Sequence, residues 1–564
     1  MHASSARSDP APAADTSRHG SPAAERTVAS YFGAFGPAPE WDELVRWPPD
    51  VFALANLVLD HTESYRFVIA PPAGRCWPPL PNWNAGVRTA GRAWTEAVGA
   101  AGQEPPALVR DCWDTVTRRR ETPLESVRTG DAWELVEALL TLHAAADEAC
   151  ADIGTPPRRE SGRSFEALAW RRLQDHGSLS RLAPARARIV PKTNLCAYGI
   201  TISSLSRYLA LSYESVDIRW RSVEPETSAT RRDYNIVLVP WPLSVAAGDF
   251  RPVSPIPLEN MDADLFGFFE FAPERPVDHA LLGSLLQAAV DQAGRVDAVI
   301  LPEDAVTPHE AAQLERTLDE CGASLLIAGV RQPPTAGSLG RNYLHFGVRT
   351  SAGWERYEQD KHHRWCLDEG QIRQYHLTRS LNPGKLWWEA IDVRERTLHV
   401  VDVGRGLTSA PLVCEDLARL DEVADVVRRI GPSLVVAVLL DGPQLSSRWS
   451  SRYASILADE PGSTVLTLTS YGMAARSRPP GKPRSRVVAH WNNRADGPHE
   501  IELAPRAGAV LLTARVEGRT LWTADGRCHS DVPGLTLSEV RQLHRAATGL
   551  SPPRPRANRQ AVPV

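Results

Sequence analysis

Lysine is nearly missing from this sequence. Of 63 basic residues only Lys192, Lys361, Lys385 and Lys482 are lysines, and arginine supplies every other fixed positive charge. A lysine kept in such a chain points to a use for its compact amine, which changes protonation where a guanidinium does not. Long apolar runs are missing too. The longest, such as residues 434–440, is strand length and far short of the ~20 residues of a membrane-spanning helix. The Ser-, Ala- and Pro-rich N-terminus has no apolar signal core, which argues against export. Eight cysteines are scattered without close spacing, as reduced thiols of a cytoplasmic protein are, and unlike a disulfide framework. A net charge of −5 argues against a wholly basic nucleic-acid binder.

What is present divides the chain. At 564 residues it is too long for one ordinary core, and two domains with tails are expected. Residues 1–26 read as a disordered tail. Residues 27–230 read as a mainly helical module. Pro48-Pro49-Asp50 starts one helix, 132–150 is an amphipathic second, and 200–211 is the best helix after the linker at 154–164. The Trp- and Pro-rich piece holding Trp77, Trp83 and Trp94 reads as an ordered loop packed on those helices. From Tyr234 the pattern changes. Apolar strands near 235–240, 297–303, 324–329, 343–349, 398–403, 412–414, 434–440 and 464–469 alternate with helices near 279–293, 308–321, 416–428 and 450–459. That alternation is the mark of an α/β layer architecture over 233–530. Residues 531–564 read as a last helix near 538–546 and a disordered tail.

Three residues of the second half fit one chemistry. Glu303 stands at the end of an apolar strand, Lys361 lies in Asp360-Lys361-His362-His363, and Cys414 closes the run Ala410-Pro411-Leu412-Val413. A thiol attacking an amide or nitrile carbon needs a base to form its thiolate and again to activate water, and a cation or N–H donors for the oxyanion. Glutamate, lysine and cysteine supply these. His362, His363 and Cys366 have no second ligand pair at zinc-like spacing, so no metal is expected.

Here the sequence resembles the carbon–nitrogen hydrolase (nitrilase) superfamily, in which Glu, Lys and Cys occur in this order. Pro302-Glu303 resembles the family's glutamate motif, and Ile327-Ala328-Gly329-Val330 with Arg341-Asn342-Tyr343 resembles the strand pair after it. Val413-Cys414-Glu415-Asp416 is similar to the glutaminase domains of glutamine-dependent NAD synthetases, although the synthetase's nucleotide loop is absent. Thr469-Ser470-Tyr471-Gly472 resembles the family's Asn-x-x-Gly segment, with Ser470 in place of the usual Asn. The resemblance covers about 233–530. It implies an α-β-β-α sandwich behind the N-terminal helical module. It implies Glu303 as general base, Lys361 on the tetrahedral intermediate, Cys414 as the thioester-forming nucleophile and Glu369 as a second glutamate. It also implies the backbone N–H of Glu415 in the oxyanion hole and Ser470 beside the substrate.

The expected activity is hydrolysis of a non-peptide C–N bond, in a small carboxamide rather than a nitrile, with no metal or organic cofactor. The expected partners are a small amide substrate, further copies of the chain in a homo-oligomer, and a protein docked on the helical module. Membrane is not expected and nucleic acid is not favoured. A competing reading from a different class is a nitrilase-like scaffold or effector in bacterial antiphage defence. It would act with a reverse transcriptase or another partner, and a polymerase would have to be supplied separately, since this chain has no Tyr/Phe-x-Asp-Asp signature.

Overall fold

The computed structural model describes residues 26–545 apart from 37–39, 100–103, 152, 154–163, 196–198, 214–215, 224–231, 255–260, 336–337, 420–422 and 479–482. The expectations for both tails, the linker and Lys482 thus fall largely or wholly outside the described residues.

Two seven-stranded sheets lie face to face. The first runs in the order Gly353–Asp360, Arg341–Thr350, Leu325–Gln332, Ala298–Val306, Asp233–Leu238, Ala507–Trp522, Cys528–His544. The second runs Gly497–Glu502, Val487–Asn493, Thr464–Thr469, Leu434–Leu439, Thr408–Val413, Thr397–Asp402, Asp217–Ser222. Alternation along the strands builds three apolar layers, because successive side chains point to opposite faces. Ile236, Leu238 and Ile300 meet Val436, Val438 and Leu466 in the core between the sheets. Val237, Val299 and Leu301 turn outward to the helices His279–Ala293 and Pro308–Cys321. Val435, Ala437 and Val465 turn outward on the second sheet, toward the helices Val423–Ile430 and Trp449–Asp459. The result is the expected α-β-β-α sandwich.

The N-terminal part is helical up to the helix Phe165–His176, as expected. Pro48 and Pro49 open the helix Pro48–His61 from inside its first turn, where a missing N–H costs nothing. That helix and Trp133–Ala149 are buried almost all round. Their core is continuous with the outer face of the second sheet, since Phe52, Leu139 and Trp94 belong to the same apolar cluster as Leu398, Val435 and Val465. Among the described residues no helix is long and apolar enough to cross a membrane.

Three local expectations are corrected. Trp83 and Trp94 sit in a helix, Trp83–Gly99. Its glycines weaken the sequence signal, but Gly91 is there for close approach, since a Cβ would lie 2.8 Å from that of Glu148. Residues 200–211 are not a helix: Ile202–Leu205 is a single 3-10 turn and Leu209–Ser212 is a strand paired with Arg188–Pro191. The buried Asp147 carboxylate holds that backbone open by accepting the N–H groups of Arg207, Tyr208 and Leu209 at 2.8, 2.8 and 2.9 Å. The last helix is also absent. Cys528–His544 is an edge strand antiparallel to Ala507–Trp522, and from Ser538 to Gln542 its residues are exposed or half-buried, so no period of two is legible there. Both ends of the sandwich therefore overrun the expected 233–530. Asp217–Ser222 forms one edge of the second sheet, and the C-terminal hairpin closes the first.

Candidate active site

The site lies at the carboxyl ends of parallel strands in both sheets, where side chains leave the sheet and backbone groups lose their ladder partners. Glu303 owes its position to an irregularity. Leu301 pairs with Ala328 and Val306 with Val330, so residues 302–305 bulge over the single residue Gly329. The bulge turns Glu303 into the space between the sheets, where it is fully buried. Gly329 is required, since a Cβ there would stand 2.3 Å from the Glu303 Cα and from the Pro302 carbonyl oxygen.

Lys361 follows the strand Gly353–Asp360 and is also fully enclosed. Its Nζ lies 2.8 Å from Glu303 Oε1 and donates to Glu389 Oε2 at 2.6 Å. Asn342 Nδ2 donates to the other side of the pair, at 2.7 Å to Glu303 Oε1 and 2.7 Å to Glu389 Oε1. The Leu440 N–H completes Glu303 Oε2, and the Trp365 N–H reaches Glu389 Oε2 at 3.1 Å. Burial by itself would lower the Lys361 ammonium. The charges of Glu303 and Glu389, with a further push from Cys414, outweigh that and hold it well above the ordinary lysine value. Glu303 goes up as well: burial raises its carboxyl, Lys361 pulls it back, and Glu389 pushes it up again. Asp304, next in the bulge with φ +52°, is buried and raised further by burial and by the Glu389 and Glu303 charges. Glu303, Asp304 and Glu389 bring oxygens within 4.8 Å of one another, but two of these carboxylates already share the Lys361 ammonium, which supplies the positive charge.

Cys414 ends the strand Thr408–Val413 and opens the 3-10 turn Cys414–Leu417. Its φ of +46° is left-handed, an uncommon backbone state for a residue with a Cβ and one that concentrates at functional sites. The first N–H groups of such a turn have no acceptor within it, and Glu415 supplies one of them. Burial lifts the Cys414 thiol well above the ordinary value, and the Glu303 charge adds to this against the pull of Lys361. The resting group is a thiol that needs a base at the moment it reacts. Gln359 ties the two sheets together here, donating to the Pro411 carbonyl at 2.9 Å and accepting from the His399 N–H. Asp416, fully buried, clasps the turn to the lysine loop: it takes the His362 N–H at 3.3 Å and lies 2.8 Å from His363 Nδ1. The histidines flanking Lys361 thus serve its placement.

A cavity of about 290 Å³ opens beside the thiol, walled by Trp365, Tyr375, Asp441, Arg448 and Arg452 with Cys414 at its base. Asp441 accepts from Tyr375 Oη, from Arg448 Nη2 at 2.6 Å and from Trp449 Nε1 at 2.9 Å.

The structure brings together Glu303, Lys361 and Cys414 as the sequence suggested, with Glu415 lining the same cavity. It does not bring Glu369, which is exposed on the helix Glu369–Gln374 and paired with Arg373 at 2.7 Å. The second glutamate is Glu389, twenty residues on. It stands at the end of Leu386–Glu389, a strand of a small four-stranded sheet. Its signal was readable: Leu386-Trp387-Trp388-Glu389 repeats the apolar-strand-then-acid grammar of Leu301-Pro302-Glu303. Ser470 is buried and its hydroxyl caps the helix Tyr471–Arg476 by accepting from the Met473 N–H at 3.1 Å, so it is structural and lines no part of the cavity. Asn342 and Asp441 were missed as site residues.

No protein-family model matches the chain, and no curated protein does. Among solved structures, a CN-hydrolase superfamily protein of Xanthomonas campestris with an arsenic adduct in its active site matches at 17% identity and TM-score 0.30, over 50% of this chain and 90% of that one. A mutant amidase of Nesterenkonia sp. AN1, with an acetamide moiety added covalently at its active-site cysteine, matches at 13% and 0.27, over 57% and 94%. A Saccharomyces cerevisiae member of branch 10 of the nitrilase superfamily matches at 12% and 0.25, over 56% and 93%. At such values the description of the site stands on this chain's own geometry. Over about half its length the chain is similar to solved proteins of the carbon–nitrogen hydrolase, or nitrilase, superfamily.

Proposed function

We propose that the protein hydrolyses a non-peptide carbon–nitrogen bond through a thioester on Cys414. The observation that carries this reading is the enclosed Lys361 ammonium, clamped by Glu303 and Glu389 and coupled in charge to a cysteine held in left-handed backbone at a strand end. The substrate enters the cavity with its carbonyl carbon on the Cys414 sulfur. Glu303 takes the thiol proton as the sulfur–carbon bond forms, and the oxyanion meets the Lys361 ammonium and the Glu415 N–H. The proton passes from Glu303 to the departing nitrogen, ammonia leaves, and the thioester remains. Glu303 then takes a proton from water, which attacks the thioester and releases a carboxylic acid and the free thiol. Glu389 and Asn342 hold the acid and the amine in register. A carboxamide is favoured over a nitrile because the turn after the nucleophile has the Cys-Glu-Asp form of glutaminase domains.

The test is intact-protein mass spectrometry of the Glu303→Gln protein incubated with a series of small amides. An acyl mass on Cys414 that is lost in Cys414→Ala supports the reading. Equal labelling of the two proteins, together with wild-type protein that releases no ammonia from any amide, overturns it.

A further inference from the structure

A second cavity, of about 240 Å³, has Asp304 and Glu389 in its wall and shares no lining residue with the one beside Cys414. The reaction above gives Asp304 no task. Asp304 is 4% exposed, its side chain has no hydrogen bond or ion pair among the described residues, and its Oδ1 is buried without a donor. An enclosed carboxylate of this kind is costly unless something pairs with it. The two glutamates beside it are only partly satisfied. Glu303 accepts from Lys361 and Asn342 at Oε1 and from the Leu440 N–H at Oε2. Glu389 accepts from Asn342 at Oε1 and from Lys361 and the Trp365 N–H at Oε2. Each carboxylate oxygen carries two lone pairs, so Glu303 Oε2 and Glu389 Oε1 can each take one more contact, and Asp304 keeps all of its own.

Spacing and charge say what would fit. Oxygens of the three acids lie within 4.8 Å of one another, so a cation centred among them would stand about 2.8 Å or less from each, close to the ~2.3–2.6 Å of calcium. Magnesium, at ~2.0–2.1 Å in a strict octahedron, would need the acids to close further. Three carboxylates face one Lys361 ammonium, and Asp304 has no share of it. The guanidinium groups in the cavity wall are engaged elsewhere. Arg331 donates to the Asp304 backbone carbonyl at 2.7 Å and pairs with Glu310 at 3.7 Å, and Arg341 pairs with Asp360 and Glu358 at 2.8 and 2.9 Å. Two negative charges are left over, which one divalent cation balances. We propose that Glu303, Asp304 and Glu389 hold a divalent cation of calcium size, reached through the second cavity, where water completes its shell. The ion clasps the bulge at 302–305 to the strand Leu386–Glu389, and its binding does not rest on the hydrolase reading.

The test is calorimetric titration of the full chain, stripped with EDTA, by CaCl2 and by MgCl2. Each is taken to about 10 mM, well above the ~10⁻⁴–10⁻³ M of weak calcium sites. Thermal unfolding is followed alongside. Wild-type protein should bind Ca²⁺ saturably and more tightly than Mg²⁺, with an unfolding midpoint that climbs with Ca²⁺. Asp304→Asn and Asp304→Gly both tolerate the left-handed backbone at this position and remove the charge. Each should lose at least about tenfold in Ca²⁺ affinity and most of the Ca²⁺-dependent rise in midpoint. Cys414→Ala should keep the wild-type affinity. Wild-type protein that neither binds Ca²⁺ nor gains stability from it overturns the proposal, and means that Asp304 is paired by a proton instead. Undiminished affinity in both Asp304 variants overturns it too, by placing the ion on other acids. Protein that binds Ca²⁺ through Asp304 but releases no ammonia from amides would refute hydrolysis and keep the cation site. Turnover without Ca²⁺ binding would do the reverse.

Discussion

Replacing Glu389 by glutamine removes one of the two charges on Lys361 and keeps the side chain's size. Glu303 and Glu389 bring oxygens within 4.8 Å, which at an effective dielectric near 20 is ~3 kcal/mol of mutual repulsion. That repulsion is part of what holds the Glu303 carboxyl up, after burial and against Lys361. Without it Glu303 gives up its proton at lower pH, becomes the weaker base, and sits tighter on Lys361. The acid limb of Cys414 reactivity therefore moves to lower pH and the plateau rate falls. Folding is weakened too. Asn342 Nδ2 donates to one oxygen of Glu389, and Lys361 and the Trp365 N–H donate to the other. A glutamine has one oxygen for these two sides, so an amide N–H faces a donor. A buried pair broken outright costs ~3–5 kcal/mol; with Glu303 still on Lys361 the loss should be about 2 kcal/mol. The assay is the rate of Cys414 alkylation by chloroacetamide against pH, read by mass, with urea unfolding alongside. A folded Glu389→Gln protein whose acid limb stays put or moves up refutes this coupling.

Asn342→Ala should move the same limb the opposite way. The Asn342 hydrogen bond to Glu303 favours its charged carboxylate, so its loss raises Glu303, and the alkylation profile shifts to higher pH. Arg527→Met should destabilise the protein by about 3–5 kcal/mol in urea, because the three enclosed carboxylates of Asp147, Glu148 and Asp525 would lose the fully buried cation they share; a loss under about 1 kcal/mol would mean water reaches them. His143, buried against Phe52 and Asn56, is depressed to about 3 by burial. The unfolded chain takes up a proton below the usual histidine value and the folded one does not. Stability from this group is thus complete at neutral pH and is lost by ~1.4 kcal/mol per pH unit as pH falls from about 6.5 toward 3. In His143→Gln that part of the slope should vanish in stability curves taken between about pH 4 and 6.

The chemistry was legible where a short rule ties residue type to place. Apolar strands ending in an acid or a thiol gave Glu303 and Cys414, and the scarcity of lysine singled out Lys361. The same rule, applied to Trp387-Trp388-Glu389, would have given the second glutamate. The family resemblance pointed to Glu369 instead, which a helix carries out to solvent. What could not be read was set by contacts between distant segments. The strand at Leu209–Ser212 is held by a carboxylate more than 60 residues upstream in the chain, and the last strand lies at a sheet edge with residues 538–542 exposed or half-buried. The cavity's walls come from five separate segments, so no local window contains them.

One apolar mass runs without a break from the N-terminal helices, across Val423–Ile430, into the outer side of the second sheet. A shortened chain begun near residue 233 would lose the edge strand Asp217–Ser222 and strip the cover from Leu398 and Val400. The half that bears the reactive groups would then meet water with an oily flank and an open strand edge, both invitations to clump. The helices ahead of it are therefore part of what keeps the nucleophile's half from sticking to its own copies, whatever else they bind.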